Sequence, residues 1–125
     1  MFAVTLIVPD YDQAIRFFCD VLGFSLIEDR DEGHKRWVTV APSPGGSKIV
    51  LARAENEAQR QASGNQGGGR VWLFLECDDF SRLHARMLAA GVFFEEEPRV
   101  EDYGTVAVWR DPWGNRWDLL QPRMP

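Results

Sequence analysis

Histidine and cysteine are scarce in this chain, two of each among 125 residues, and no stretch is strongly basic. Each shortage excludes something. Cys19 and Cys77 sit in apolar-periodic segments, so they read as two free thiols of a cytoplasmic protein rather than as a disulfide framework. Fourteen Lys and Arg against nineteen Asp and Glu leave a net charge of −5, without the cationic stripe that nucleic acid requires. No apolar run approaches the roughly 18 residues of a membrane helix. The first residues lack the charged start, apolar stretch and small-residue cleavage site of a secretion signal. The expectation is a cytoplasmic protein that engages neither nucleic acid nor membrane. What is abundant is apolar residues: a hydrophobic content of 45% supports a core for one domain over residues 1–125.

The apolar pattern is written twice. Residues 2–8 alternate as a strand does, and Pro9-Asp10 then opens a helix, with Gln13 in the capping-box position. Ala14, Ile15, Phe18, Val21 and Leu22 recur at helical spacing, and Gly23 ends the run. Residues 24–29, 35–40 and 48–52 read as three further strands. From Arg70 the order repeats: a strand over 71–77, a helix capped by Asp78-Asp79 and carrying Phe80, Leu83, Met87 and Leu88, Gly91 as its end, then strands over 92–95, 105–109 and 116–120. Asp10 corresponds to Asp79 and Gly23 to Gly91, an offset of 69 falling to 68. The prediction is an α+β fold of two βαβββ modules in tandem, about 1–53 and 70–121.

Residues 54–69 contain no large apolar side chain. Their first half suits a short exposed helix, and the glycine-rich end must be mobile or tightly turned. The segment is either a module linker or a flap over a cleft, with Gln66 and Arg70 near its mouth. It is not a phosphate loop, because no Lys-Ser/Thr pair follows and a strand stands where a helix is needed. Asp111-Pro112-Trp113-Gly114-Asn115 reads as a hairpin connector, with Pro preset for the turn and Gly and Asn tolerant of positive φ. The acidic run Glu95-Glu96-Glu97 reads as a charged strand end that discourages edge pairing.

These motifs carry a family resemblance. Val8-Pro9-Asp10-Tyr11-Asp12-Gln13-Ala14-Ile15-Arg16-Phe17-Phe18, then Leu22-Gly23-Phe24, and Arg110-Asp111-Pro112-Trp113-Gly114-Asn115-Arg116-Trp117-Asp118 resemble the vicinal oxygen chelate superfamily. It includes glyoxalase I, bleomycin-resistance proteins and extradiol dioxygenases. The resemblance covers nearly the whole chain and implies curled mixed sheets that form a cleft. Metal-dependent members place four ligands there: His in the first strand, Glu, Gln or His in the fourth, His in the fifth and Glu in the eighth. The matching positions here are Ala3, Val50, Trp72 and Asp118. A catalytic zinc or iron site needs about three protein ligands, and only Asp118 has a ligand's chemistry. His34 lies beside a turn and reads as a solvated loop residue, while His84 reads as a helix flank. No metal residues and no cofactor are expected.

Asp118 is therefore the residue to explain, because a carboxylate between Trp117 and Leu119 is costly to bury. If Asp118 and Trp72 face inward, period-2 counting puts Phe74, Glu76, Arg116, Leu120, Thr5 and Val50 there too, and Cys77 points the other way. The lining is apolar and aromatic with a few charges, as small-molecule sites are. Trp72, Phe74, Arg70, Val50, Thr5, Tyr103, Arg116, Trp109 and Gln66 are the expected ligand contacts, and Asp118 and Glu76 the candidates for acid–base chemistry. Two alternatives stay open: Trp72 and Phe74 fill the interior, or the two carboxylates pair with Arg70 or Arg116 as a structural network. The leading expectation is a metal-independent protein of the glyoxalase, bleomycin-resistance and dioxygenase type that binds a small, partly hydrophobic or aromatic molecule, as a homodimer. The rivals are a glyoxalase-type lyase, isomerase or dioxygenase, with a displaced metal site or with Asp118 and Glu76 doing the chemistry, and a dimerising domain without a ligand.

Overall fold

Leu6 and Val8 alternate with Thr5 and Ile7, and the chain there is the first strand of a mixed sheet. Residues 1–43 and 45–123 are described by a computed structural model. They divide into two compact units, Met1–Ser63 and Gly64 onward.

In the first unit, β1 (Ala3–Val8), β2 (Ser25–Asp31), β3 (Arg36–Ala41) and β4 (Lys48–Arg53) form a sheet of order β1-β4-β3-β2. The β1–β4 pair is parallel, with Thr5 opposite Val50 and Leu6 opposite Leu51. Neighbouring rungs point to opposite faces. Leu6, Val8, Ile49 and Leu51 are buried, on the side where α1 (Tyr11–Arg16) packs on β3 and β4. Asp10 caps α1 as its sequence position indicates, accepting the Gln13 N–H at 2.8 Å. The helix then widens into a π-helical stretch, Phe17–Val21, which the helical spacing did not indicate. Both adjacent rings, Phe17 and Phe18, are thereby buried, 5.3 Å apart and edge to face. A short α2 (Glu57–Ala62), capped by Asn56, follows β4, and the Ser63 hydroxyl donates to the Ile7 carbonyl at 3.0 Å.

The second unit repeats the order. Its strands are β5 (Val71–Glu76), β6 (Phe93–Phe94), β7 (Arg99–Glu101), β8 (Gly104–Arg110) and β9 (Arg116–Pro122), arranged β5-β9-β8-β6 with β7 also on β8. The β5–β9 pair is parallel, like β1–β4, and α3 (Phe80–Ala89) packs on β9. Gln121 Oε1 accepts the Phe80 N–H at 2.7 Å and so ties the start of α3 to that strand. His84 stands against the Phe80 and Phe94 rings, centroids 5.4 and 4.6 Å away. Cys19 and Cys77 are free and half-buried.

The strand expected over 92–95 is only Phe93–Phe94, and a further short strand, Arg99–Glu101, follows it. Glu95 N–H reaches the Val108 carbonyl at 2.9 Å, but Val108 N–H is taken by the Glu96 carboxylate, also at 2.9 Å. A side chain thus replaces a backbone acceptor, and Pro98, which has no N–H, cannot extend the ladder. Pairing resumes at Arg99, opposite Val106.

Candidate functional site on the open face of the second sheet

The register of β5, β8 and β9 sorts their side chains. Trp117 opposes Trp109 and Leu73; Leu119 opposes Ala107 and Leu75. These rungs face α3, where Phe80 and Met87 are buried. Asp118 opposes Val108 and Phe74, and Leu120 opposes Val106 and Glu76, on the other face. Cross-strand neighbours share a face, so Phe74, Glu76, Asp118 and Leu120 stand together, as period-2 counting indicates. A bulge between Val71 and Leu73 makes Trp72 the extra residue of β5 and puts Val71 opposite Arg116.

Phe74 is 66% exposed although it lies within a strand. Beside it, Asp118 is half-buried, and its Oδ1 is enclosed without a hydrogen-bond partner among the described residues. Burial pushes the Asp118 pKa up and the Glu96 charge adds to this, while Arg99 and Arg116 pull the other way. The guanidinium that could have neutralised Asp118 is engaged elsewhere. Arg116 donates to Glu95 from Nε at 2.9 Å and from Nη2 at 3.0 Å. Arg110 donates to the same carboxylate at 2.9 Å. Arg99 forks onto Glu96 at 2.7 and 3.2 Å and reaches Glu101 at 2.8 Å, with Tyr103 also hydrogen-bonded to it. Arginine pairing holds both Glu95 and Glu96 below the usual carboxylate range.

Two residues of the acidic run read as a strand end, Glu95 and Glu96, are therefore partners of the arginines. That role was not legible, because Glu95 meets Arg116 across 21 positions of chain. The structural network anticipated for Glu76 and Asp118 is made by Glu95 and Glu96 instead.

The expected ligand contacts separate into groups. Phe74, Arg116 and Asp118 lie on or beside the open face, and Tyr103 is exposed at the start of β8. Trp109 does not join them: it is fully buried on the helix face, stacked on Trp117 at 4.8 Å. Trp72 is half-buried against Gly67. Gln66 N–H donates to Asn115 Oδ1 at 3.1 Å, and Arg70 is exposed. Thr5 and Val50 form a rung on the open face of the first sheet, the counterpart of Phe74 and Asp118. They line a cavity of about 260 Å³ with Ile7, Trp37 and Ala52. Of that lining, Trp37 donates from Nε1 to Glu28, which also accepts from Thr39 Oγ1, both at 3.2 Å. The Trp37 contact foremost lowers the Glu28 pKa.

The turn before β9 is organised by Asp111, which the sequence places in the connector without showing a role for its carboxylate. Asp111 is 4% exposed. Its Oδ1 accepts the N–H groups of Trp113, Gly114 and Asn115 at 2.9–3.1 Å. Its Oδ2 accepts Asn115 Nδ2 at 2.9 Å and Trp117 Nε1 at 3.0 Å. This carboxylate sets where Arg110 leaves β8 and where Arg116 enters β9.

The donor set does not fit a metal of the kind the resemblance implies. Ala3, Val50 and Trp72 offer no lone pair, and among the described residues no three His, Cys, Asp or Glu side chains group as metal ligands. No helix among those residues is long and apolar enough to cross a membrane.

Known proteins share this architecture. A protein of Shewanella frigidimarina is 52% identical over 122 residues, 94% of this chain and 90% of its own length. The crystal structure of UcmS2 superposes with a TM-score of 0.80 at 30% identity, covering 96% of each chain. TnmS3, an antibiotic binding protein from Streptomyces sp. CB03234, superposes with a TM-score of 0.77 at 29% identity, covering 97% of this chain and 93% of its own. The Glyoxalase family model, Glyoxalase/Bleomycin resistance protein/Dioxygenase superfamily, matches residues 1–119. The chain belongs to the glyoxalase/bleomycin resistance protein/dioxygenase superfamily.

Proposed function

We propose that the protein binds a small, partly aromatic molecule on the open face of its second sheet, without a metal ion. The observation that carries this reading is the Phe74–Asp118 rung. An aromatic ring left 66% exposed within a strand stands next to a carboxylate oxygen that is enclosed and, among the described residues, without a hydrogen-bond partner. A flat ligand stacked on Phe74 gains apolar contact, and a hydroxyl or amine on it supplies the donor that Asp118 lacks. The likeness to TnmS3 supports the same reading.

Binding of a panel of planar aromatic antibiotics, followed by calorimetry on protein treated with a chelator, tests it. At least one compound is expected to bind equally with and without the chelator, and Phe74→Ala is expected to weaken it about tenfold, the worth of one stacking contact. Binding that vanishes with the chelator and returns with zinc would sink the proposal, as would a panel without a single binder.

One observation favours a second reading. Burial raises the Asp118 pKa, which is how a carboxylate is tuned for proton transfer. In that reading Asp118 acts as acid or base in a lyase- or isomerase-type reaction, with Glu76 beside it on β5. Turnover of hemithioacetals or catechols that disappears in Asp118→Asn supports it. Unchanged turnover in that variant refutes it.

A further inference from the structure

The chain carries a net charge of −5, yet three guanidinium groups line one hollow of its second unit. Arg70, Arg110 and Arg116 surround a cavity of about 220 Å³, and much of the remaining wall is glycine backbone from Gly64, Gly67 and Gly69. Among the described residues Glu95 is the one carboxylate bonded to this group, and it binds Arg110 and Arg116. Both guanidinia are also held in place by carbonyls: Arg110 Nη1 donates to Gly114 at 3.3 Å and Arg116 Nη1 to Gly69 at 2.9 Å. Arg70 is exposed and makes no ion pair among the described residues. The charged side chains that line the hollow are all arginines; Glu95 pairs with two of them, and Asp118 and Glu96 act on Arg116 through space without lining it.

The wall is prebuilt. A Cβ on Gly64 would stand 1.8 Å from the Trp113 carbonyl oxygen, and one on Gly67 would stand 2.8 Å from Trp72 Cβ. Backbone bonds from Gly68 to Asn65 and from Arg70 to Gly67, both 3.2 Å, close the turns between them. The loop therefore lies against the 111–115 turn in a conformation that side chains would not permit.

We propose that this hollow binds a small oxyanion, a phosphate or carboxylate group. Guanidinium forks match both groups in geometry and charge. The anion is either free in solution or the charged end of a ligand whose apolar body lies on Phe74. Arg116 connects the two places, since it lines the hollow and enters β9 two residues before Asp118. Only the second of these sources rests on the function proposed above.

The test is amide chemical-shift mapping on the whole chain at low ionic strength, with inorganic phosphate, phenyl phosphate and phenol as separate probes. Phosphate is expected to shift the amides of Gly64, Gly67, Gly69 and Gly114 at millimolar concentrations, and added chloride to reverse the shifts. Arg70→Gln, a change at an exposed side chain, is expected to weaken phosphate about tenfold, the loss of one charge-assisted contact. Phenyl phosphate that binds more tightly than phosphate and also shifts Phe74 assigns the anion to a larger ligand; equal affinity assigns it to a free ion. Either result supports the site. Glycine amides that stay unmoved by phosphate, or an affinity that Arg70→Gln leaves unchanged, overturn it. Phenol reports on Phe74 alone, so its failure beside a positive phosphate result counts against the aromatic ligand and not against this hollow.

Discussion

Removing the carboxylate of Asp111 is the sharpest available test of how the hairpin is held. The side chain accepts five hydrogen bonds. In Asp111→Ala the N–H groups of the half-buried Trp113 and Gly114 can turn to water. The Asn115 N–H, Asn115 Nδ2 and Trp117 Nε1 cannot, because Asn115 and Trp117 are only 3% and 2% exposed. Each buried donor left without an acceptor costs about 1–3 kcal/mol, so the three cost about 6 kcal/mol. That is a large share of a typical folding free energy of about 5–15 kcal/mol. For a chain of this size it corresponds to a fall in Tm of about 25 °C. Asp111→Asn keeps one acceptor oxygen but turns an amide toward groups that also donate, so a loss of about 2 kcal/mol is expected. Urea denaturation followed by far-ultraviolet circular dichroism, with the slope compared between variants, measures both. A loss below about 1 kcal/mol in Asp111→Ala, with an unchanged slope, would refute the claim that this carboxylate organises the turn.

Three further outcomes follow from the same geometry. Burial raises the Asp118 pKa in the folded state, so its ionised form opposes folding above that pKa and the cost disappears as pH falls through it. Asp118→Asn is then neutral or stabilising at pH 7 and shows a flatter Tm profile through the carboxylate range; a clear loss of stability at pH 7 contradicts this. Glu95 and Glu96 titrate in the opposite sense: arginine pairing lowers their pKa values, so their contribution is present at neutral pH and lost as pH falls through the depressed values. The Tm of Glu95→Gln should therefore converge with that of the parent at low pH and lie below it at pH 7. Gly64→Ala, at φ +81° with a carbonyl in the way, is expected to lower stability by more than the ~1 kcal/mol of a positive-φ glycine alone, and equal stability of parent and variant in denaturant would refute the close approach.

The tandem modules were legible because their signals are local. Asp10 and Asp79 cap helices within three residues, and Gly23 and Gly91 end them at φ +78° and +85°. Alternation likewise put Phe74, Glu76 and Asp118 on one face, since that requires only a period of two. The failures share a different cause. Trp109 carried the same alternation as its neighbours, and only its pairing with Trp117 shows that it belongs to the helix side. The break at Glu95–Pro98 depends on a carboxylate meeting the N–H of Val108, twelve positions away.

The sequence by itself determined the duplicated βαβββ plan, the caps and ends of its helices, and the absence of ligand chemistry at Ala3, Val50 and Trp72. Those are properties of residue type and spacing, which any fold of this chain must respect. Only the tertiary structure decided the charges of the site. Arg116 is closer in sequence to Asp118 than to Glu95, yet it binds Glu95, because the β6–β8–β9 arrangement brings that carboxylate to it in fork geometry. Asp118 is thereby left with an enclosed oxygen that has no hydrogen-bond partner among the described residues, beside an exposed ring. Which acid an arginine neutralises depends on distances that folding creates, and the candidate site follows from that choice.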